Sequence, residues 1–454
     1  MINEAIFREY DIRGLADSEL ADPVVERIAM AVAAIYVREK KETVAIGMDG
    51  RPSSPRIKDL FGRTLARYGL KVTDLGLVPS PLVYYAAFRH GMGGAVVITA
   101  SHNPSEYNGL KVMLGTAALY GDQVKEIYRL AVNGPFPAEK KGSVTPLELV
   151  EEYLRYIVGN VTLRKKLRVV VDGGNGTGGL TAPELYRRLG AEVIPLFCDV
   201  DGRFPNHHPD PTVAKNLQHL IARVKETGAD LGIGLDGDAD RIGVVDGRGR
   251  ILWGDQLLLI FAKDILRTHP GATIISEVKA SEVFYSEVRR LGGNPIMWKA
   301  GHSLIKKKLF EVDAKAAGEV SGHVFFNDKW FGFDDAVYAG ARLLEILAAG
   351  DKSLADMFDA IPAVFNTPEI RVDCGDDVKF RVVDAIREHF RKILPVNDID
   401  GARVTFPRGW ALVRASNTQP SLVVRFEADS AEEMTRIQEQ VEAVIRTAQA
   451  QVGG

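Results

Sequence analysis

Short apolar runs alternate along the chain with segments whose apolar residues recur every three or four positions. Runs of the first kind read as buried strands, the second as amphipathic helices. In the first third, Thr43–Asp49 ("TVAIGMD") is a strand and "SPRIKDLFGRTLARYG" a helix. "KVTDLG" is a strand, "SPLVYYAAFRHG" a helix, and Ala95–Ala100 ("AVVITA") a third strand. The same order returns in "LRVVVD", a helix near "APELYRRLG", "EVIPLF", "VAKNLQHLIARVKETG" and "LGIGLD", which ends at Asp236. A third copy runs from "ATIISEV" through "SEVFYSEVRRLG", "NPIMWK" and "SLIKKKLFE" to "AKAAGEV", ending at Val320.

Strand–helix–strand–helix–strand units build α/β layers. The pattern predicts three topologically similar mixed α/β domains, at residues 1–146, 147–250 and 251–361. The remainder, 362–454, changes character. A strand "PEIRVDCG", a helix near "VKFRVVDAIREHFRKIL", a β-rich stretch from Arg403 to Ala428 and a closing helix predict a smaller C-terminal α+β domain. The 454 residues suit three or four domains at about 150 residues each.

A chemically loaded loop follows the third strand of each unit: "SHNP", "GDADR" and "SGH". Open α/β sheets bind ligands beyond the carboxyl ends of their strands, so the three loops are expected to face one central cleft. "DGDADR" sets Asp236, Asp238 and Asp240 at alternate positions. Such crowding is repulsive unless a cation neutralises it, and oxygen-only ligands suit Mg²⁺ or Ca²⁺. An EF-hand would need Gly and Glu where Arg241 and Gly247 stand. Room on the cation for a phosphate oxygen favours Mg²⁺; a solvated acidic turn is the plainer alternative.

Ser101 in "TASHNP" lacks a G-x-S-x-G elbow, and a lone loop serine is commonly a turn or cap. Beside a metal loop and a phosphate loop it is a candidate phosphoryl carrier. "RASNTQP" groups Arg414 with Ser416, Asn417 and Thr418, donors that suit a phosphate, against a structural turn. "GEVSGH" offers Glu319, Ser321 and His323, groups that suit sugar hydroxyls. "GNGTGG" and "GIGLDG" both match the dinucleotide pattern G-x-G-x-x-G, which shows how unspecific it is. "NHHPDP" pairs two histidines with an aspartate, but its prolines favour an ordered loop over a metal site.

A formal net charge of -3 supports no general attraction to nucleic acid or an acidic membrane. Cys198 and Cys374 have no CxxC spacing, which argues against a disulfide framework or zinc knuckle. The first twenty residues carry charges where a signal peptide needs an apolar core, and no apolar run has the length of a membrane span. A cytoplasmic protein is expected.

"FREYDIRG", "TASHNP", "DGDADR", "GEVSGH" and "RASNTQP", in that order and spread over the whole chain, resemble the α-D-phosphohexomutase family, most closely its bacterial branch for mannose and glucose phosphates. The resemblance implies reversible 1-to-6 phosphoryl transfer on these hexose phosphates, with Mg²⁺ as cofactor and a hexose 1,6-bisphosphate as intermediate and activator. It implies a phosphoserine at Ser101, whose oxygen joins Asp236, Asp238 and Asp240 on the metal, with Arg241 against the phosphoserine. Glu319 and Ser321 would hold the sugar's 3- and 4-hydroxyls, with His323 near the reacting oxygen. Arg414, Ser416, Asn417 and Thr418 would hold the non-reacting phosphate. Tyr10 and Arg13 from "FREYDIRG", Lys111 from "NGLK", and Lys279 and His302 from "EVKAS" and "KAGHSLIK" complete the implied set. Lys111 and His323 are the candidates for proton transfer. A monomer or weak homodimer is expected. Val320 and Gln419 depart from common family residues, and Val320 and Asn417 lean away from the phosphoglucosamine mutases, the first alternative. A Mg²⁺-dependent sugar phosphatase and a non-catalytic sugar-phosphate binder are the others.

Overall fold

The computed structural model describes residues 2–134, 140–416 and 420–453. Its first three sheets share one plan. In each, three parallel strands lie with the first in the middle, the second on one side and the third on the other. A fourth, antiparallel strand then pairs with the third.

In the first sheet these are Thr43–Met48, Lys71–Leu77 and Gly94–Ile98 with Tyr107–Leu114 antiparallel, and the sheet is extended by Ser143–Pro146, parallel to Lys71–Leu77, and by Ile12–Leu15, antiparallel to Tyr107–Leu114. In the second they are Arg168–Asp172, Glu192–Leu196 and Leu231–Leu235, with Ile242–Asp246 antiparallel. In the third they are Thr273–Glu277, Asn294–Trp298 and Ala316–Gly318, with Val324–Phe326 antiparallel. Each chemically loaded loop is thus the turn between a third and a fourth strand. The apolar periodicity located the three parallel strands and left the antiparallel one unread.

One strand is shorter than its sequence suggests. "AKAAGEV" leaves the sheet after Gly318 rather than at Val320. The Glu319 amide donates to the His323 carbonyl at 3.0 Å and the Gly322 amide to the Glu319 carbonyl at 3.0 Å, so the chain is already turning there. Gly322, at φ +88, sits where a Cβ would lie 2.5 Å from the Ile242 carbonyl, a close approach that glycine permits.

The first three sheets are joined by one continuous apolar core, to which Val83, Tyr153, Leu185, Ile233, Phe261 and Tyr338 all belong. Helix Ala336–Ala349 helps to join them. It follows the third sheet in the chain but packs on the second, where the Tyr186 hydroxyl donates to the Val337 carbonyl at 3.0 Å. At Gly340 a Cβ would lie 2.0 Å from that hydroxyl oxygen.

The last part is α+β. Strands Ala402–Phe406, Gly409–Ala415 and Ser421–Ala428 form an antiparallel sheet whose own core includes Val382 and Phe390 of helix Lys379–Arg391 and Ile437 of helix Ala431–Gly453. It joins the third domain through a small apolar contact of Trp410 and Leu412 with Val278. Arg403 adds hydrogen bonds to the Val278 and Ala280 carbonyls. Among the described residues, no helix is long and apolar enough to cross a membrane.

Candidate active site

Ser101 sits two residues beyond strand Gly94–Ile98 and Thr99, buried, at φ +51. A non-glycine residue adopts that conformation only when its surroundings hold it there. Its amide donates to the Thr99 Oγ1 at 2.8 Å. Fully buried Arg51 donates to four carbonyls of the same loop: Ser101 at 2.8 Å, Asn103 at 2.6 Å, Pro104 at 2.5 Å and Tyr107 at 3.0 Å. Asp49 in turn accepts from Arg51 Nε at 2.9 Å and from the Thr99 hydroxyl at 2.8 Å. The Ser101 hydroxyl points out of this clamp and donates to Asp236 at 2.7 Å, with His102 Nδ1 3.1 Å away.

The loop "DGDADR" is held by all three α/β domains at once. Thr177 of the second donates its amide to the Gly237 carbonyl at 3.0 Å, Ser80 of the first to Asp238 at 2.9 Å, and Ala336 of the third to Ala239 at 3.2 Å. Ala239 itself is at φ +61. Asp236 accepts the Asp240 and Arg241 amides at 3.1 Å each. Lys111 lies at 2.6 Å from Asp238 and 2.5 Å from Asp240.

All three aspartates are completely buried, and their ligand oxygens lie within 4.8 Å of one another. Burial, with Asp238 and Asp240 nearby, pushes the Asp236 carboxyl well up. Burial opposes ionisation of Asp240 too, but Lys111, His323 and Arg241 outweigh it and hold that carboxyl well down. Burial likewise opposes the charge on Lys111, yet Asp238 and Asp240 keep its ammonium well above its usual range. Among the described residues one buried oxygen of Asp238 has no hydrogen-bond partner, and one of Asp240 has only His323 Nε2 at 3.4 Å. Orphaned acceptors of this kind are costly, and a hard cation with oxygen ligands would satisfy them. The donor set therefore fits Mg²⁺.

The third loop packs directly on the second. Ile242 donates its amide to the Gly322 carbonyl at 3.0 Å. His323 faces Glu319 through Nδ1 at 3.0 Å and Asp240 through Nε2 at 3.4 Å, and its Nδ1 lies 3.1 Å from the Ser321 hydroxyl. Burial and Arg241 disfavour the imidazolium, but Asp240 and Glu319 prevail and raise its pKa. Glu319 also accepts the Gly301 amide at 2.8 Å. His302, next in the chain, stacks on His323 with ring centres 5.2 Å apart, and Tyr10 meets its edge at 5.7 Å.

Arg13 donates to Asn103 at 2.6 Å and pairs with Asp11 at 2.5 Å, which places it on the serine loop. From the C-terminal domain, buried Arg414 pairs with Asp400 at 3.1 Å, and Asp400 accepts the Ala300 amide at 3.0 Å. Lys279 lies between Glu277, at 3.3 Å, and Glu369, at 3.5 Å. Ser416 is buried at the end of strand Gly409–Ala415, its amide donating to the Ser421 carbonyl at 2.9 Å. Asn417 and Thr418, with Gln419, lie outside the described residues.

Several residues of this site escaped the sequence reading. Asp49 and Arg51 follow a strand, and a charged pair directly after an apolar strand was the available signal. Ser80, whose hydroxyl lies 2.5 Å from Asp238, resembles any helix-start serine. "GNGTGG" proves to be a buttress: at Gly176 a Cβ would lie 2.6 Å from the Gly237 carbonyl. In "GIGLDG", Gly232 lets helix Gln218–Thr227 approach the sheet, since a Cβ would lie 2.7 Å from Leu220 and Val224.

Four family models match the chain in order. They are the phosphoglucomutase/phosphomannomutase alpha/beta/alpha domains I, II and III, at residues 4–137, 151–249 and 253–365, and the C-terminal domain at 369–444. A phosphomannomutase/phosphoglucomutase of Pseudomonas putida is 46% identical over 438 residues, covering 96% of this chain and 94% of its own. A phosphoglucomutase of Neisseria gonorrhoeae is 43% identical over 450 residues, 98% of each. The crystal structure of a phosphoglucomutase/phosphomannomutase family protein from Burkholderia thailandensis superposes with a TM-score of 0.94 at 41% identity, covering 99% of this chain and 98% of that one.

Proposed function

Because the chain belongs to the phosphoglucomutase/phosphomannomutase family and is a hexose-phosphate mutase, an isomerase, we propose that it moves phosphate between the 1- and 6-positions of mannose and glucose through a phosphoserine at Ser101. The observation that carries this reading is the Ser101 hydroxyl, presented from a clamped backbone onto Asp236 at 2.7 Å. The route runs through a hexose 1,6-bisphosphate that turns round in the cleft and returns its other phosphate to the serine.

Phosphoryl transfer asks for positioning and charge neutralisation more than covalent help. Asp236, Asp238, Asp240 and an oxygen on Ser101 would hold Mg²⁺, which supplies electrophilic neutralisation of the transferring group when bound. Arg241 and Lys111 add fixed positive charge beside the serine. In the forward step the bond from Ser101 Oγ to phosphorus breaks as a bond from the sugar oxygen forms. Lys111, held as an ammonium by Asp238 and Asp240, returns a proton to the departing serine oxygen. His323 takes the proton of the sugar hydroxyl. Sugar hydroxyls that engage Glu319 and Ser321 draw that carboxylate away from the imidazole, which lowers its pKa and lets it act as a base.

Arg414, Ser416, Asn417 and Thr418 anchor the non-reacting phosphate, Lys279, His302 and Tyr10 line the way to it, and Arg13, on the serine loop, adds positive charge beside Ser101. Binding energy from that remote phosphate positions the reacting hydroxyl. The C-terminal domain has its own core and only a small apolar attachment, which suits closure over the cleft. Activity on both hexoses fits contacts at the 3- and 4-hydroxyls, since the two sugars differ at the 2-hydroxyl. The test is mass spectrometry of the peptide containing Ser101 after incubation with glucose 1,6-bisphosphate. One added phosphoryl group is expected there, absent in Ser101→Ala; a phosphoryl group on another residue, or none, would refute the carrier.

A further inference from the structure

Two neighbouring aspartates, Asp334 and Asp335, stand at the start of helix Ala336–Ala349 with opposite duties. Asp335 is the cap: it accepts the Tyr338 amide at 2.8 Å and the Tyr153 hydroxyl at 2.8 Å. Asp334 takes no part in the cap. It is completely buried, and its two oxygens face two residues of one other helix, His302–Glu311. Lys306 Nζ lies 2.6 Å from Oδ1 and His302 Nδ1 3.4 Å from Oδ2. His302 and Lys306 are four positions apart and so share a helix face.

The backbone leading into His302 and one face of its ring are held in place. Its neighbour Gly301 is at φ +132, where a Cβ would lie 2.3 Å from the Tyr10 hydroxyl oxygen, and its amide is bound to Glu319. The Ala300 amide is held by Asp400 and the Ala300 carbonyl by Tyr10. His323 covers one face of the ring at a 19° tilt. Which nitrogen of a neutral imidazole carries the proton is decided by the partners its nitrogens meet.

We infer that Asp334 is a positioning residue for the mutase reaction: it keeps the proton of neutral His302 on Nδ1, so that Nε2 is presented as a hydrogen-bond acceptor to a hydroxyl of the sugar phosphate. A carboxylate is acceptor only, so the nitrogen facing it must be the donor. Lys306 fixes the negative charge that makes this so. The Lys306 ammonium also lies 4.5 Å from the centre of the Tyr84 ring, which holds it against Asp334. Burial, partly offset by Asp334, pulls the His302 pKa down, which keeps the ring neutral. Two carboxylate–imidazole pairs thus lie side by side, Asp334–His302 and Glu319–His323. The inference rests on the reading of His302 as a substrate contact, but its first test does not.

That test is a long-range ¹H–¹⁵N correlation spectrum of the full-length enzyme labelled in its histidines, with His302 assigned by comparison with His302→Asn. The Nδ1–H tautomer is expected; an Nε2–H tautomer overturns the proposal whatever the enzyme does. Asp334→Asn supplies the second readout. Lys306 donates to the amide oxygen and leaves the NH₂ facing Nδ1, so the proton must move to Nε2. With the melting temperature retained, kcat is expected to fall by at least about tenfold, the scale of lost orienting partners, with KM changing less. An unchanged kcat in a variant whose tautomer has switched would overturn the catalytic role. Should Asp334→Asn fold poorly, the wild-type spectrum still decides the tautomer.

Discussion

The Ser101 hydroxyl lies 2.7 Å from the Asp236 carboxylate, 135 positions further along the chain. Both residues follow the third strand of their own sheet, so equivalent turns of two domains meet head-on. The meeting is tight enough that a Cβ at Gly237 would lie 2.4 Å from the Ser101 carbonyl. That junction has to be held in place and its charge neutralised.

Arg51 holds the serine loop through four carbonyls and is itself neutralised by Asp49. Arg51→Met removes these donors and leaves Asp49 buried without its cation. Breaking a buried pair from one side costs about 3–5 kcal/mol, so the urea midpoint followed by circular dichroism should drop markedly. A loss under about 0.5 kcal/mol, typical of a surface substitution, would contradict the clamp.

Metal should stabilise the protein as well as activate it, because the under-satisfied oxygens of Asp238 and Asp240 are already in place. Protein stripped with EDTA should lose activity and regain it with Mg²⁺. At about a hundred times the dissociation constant, Mg²⁺ should add about 2.7 kcal/mol, read as a rise in melting temperature. Asp238→Asn should lose most of that rise; the same rise in the variant would place the cation elsewhere.

Arg414→Ala should raise KM by about ten- to a hundredfold, since a charge-assisted hydrogen bond is worth about 1.5–3 kcal/mol and each tenfold about 1.4. Phosphorylation of Ser101 should remain possible, as it does not require the remote anchor. Steady-state kinetics with an unchanged KM would remove Arg414 from the phosphate site.

Burial pushes the Asp335 carboxyl up to about 7, from about 3.9 in an unfolded chain. The folded protein therefore binds this proton more tightly. Its contribution to stability is fullest below about pH 4 and declines as pH rises toward 7, by about 1.4 kcal/mol per unit. Asp335→Asn keeps a neutral group there and removes that decline. Melting curves should show the variant gaining on the parent from pH 5 to pH 8; a variant that loses ground over that interval would contradict the assignment.

Much of this architecture could be read from periodicity because the central parallel strands are continuous apolar runs, as in Arg168–Asp172 and Leu231–Leu235, and many helices have one apolar face. The antiparallel fourth strand of the first sheet was unread because Lys111 interrupts the apolar pattern in the middle of Tyr107–Leu114, and that of the third because Val324–Phe326 is only three residues long. The packing of helix Ala336–Ala349 on the second sheet was also out of reach, since which sheet a helix covers depends on distant complementarity, here Gly340 against Tyr186. The loops betrayed their chemistry where several polar residues cluster locally, as in "DGDADR". Ser80 acts across a domain boundary, and Arg51 and Asp334 act within their domains on residues distant in the chain, so no local cluster marks them.

The most direct measurement is one ³¹P NMR time course with Mg²⁺, a trace of glucose 1,6-bisphosphate, and the 1-phosphates of glucose, mannose and glucosamine together. The signals of the 6-phosphates of glucose and mannose should rise as their 1-phosphates fall, and Ser101→Ala should leave the spectrum unchanged. Growth of inorganic phosphate without 6-phosphates, or conversion of the glucosamine compound alone, would contradict the proposed reaction.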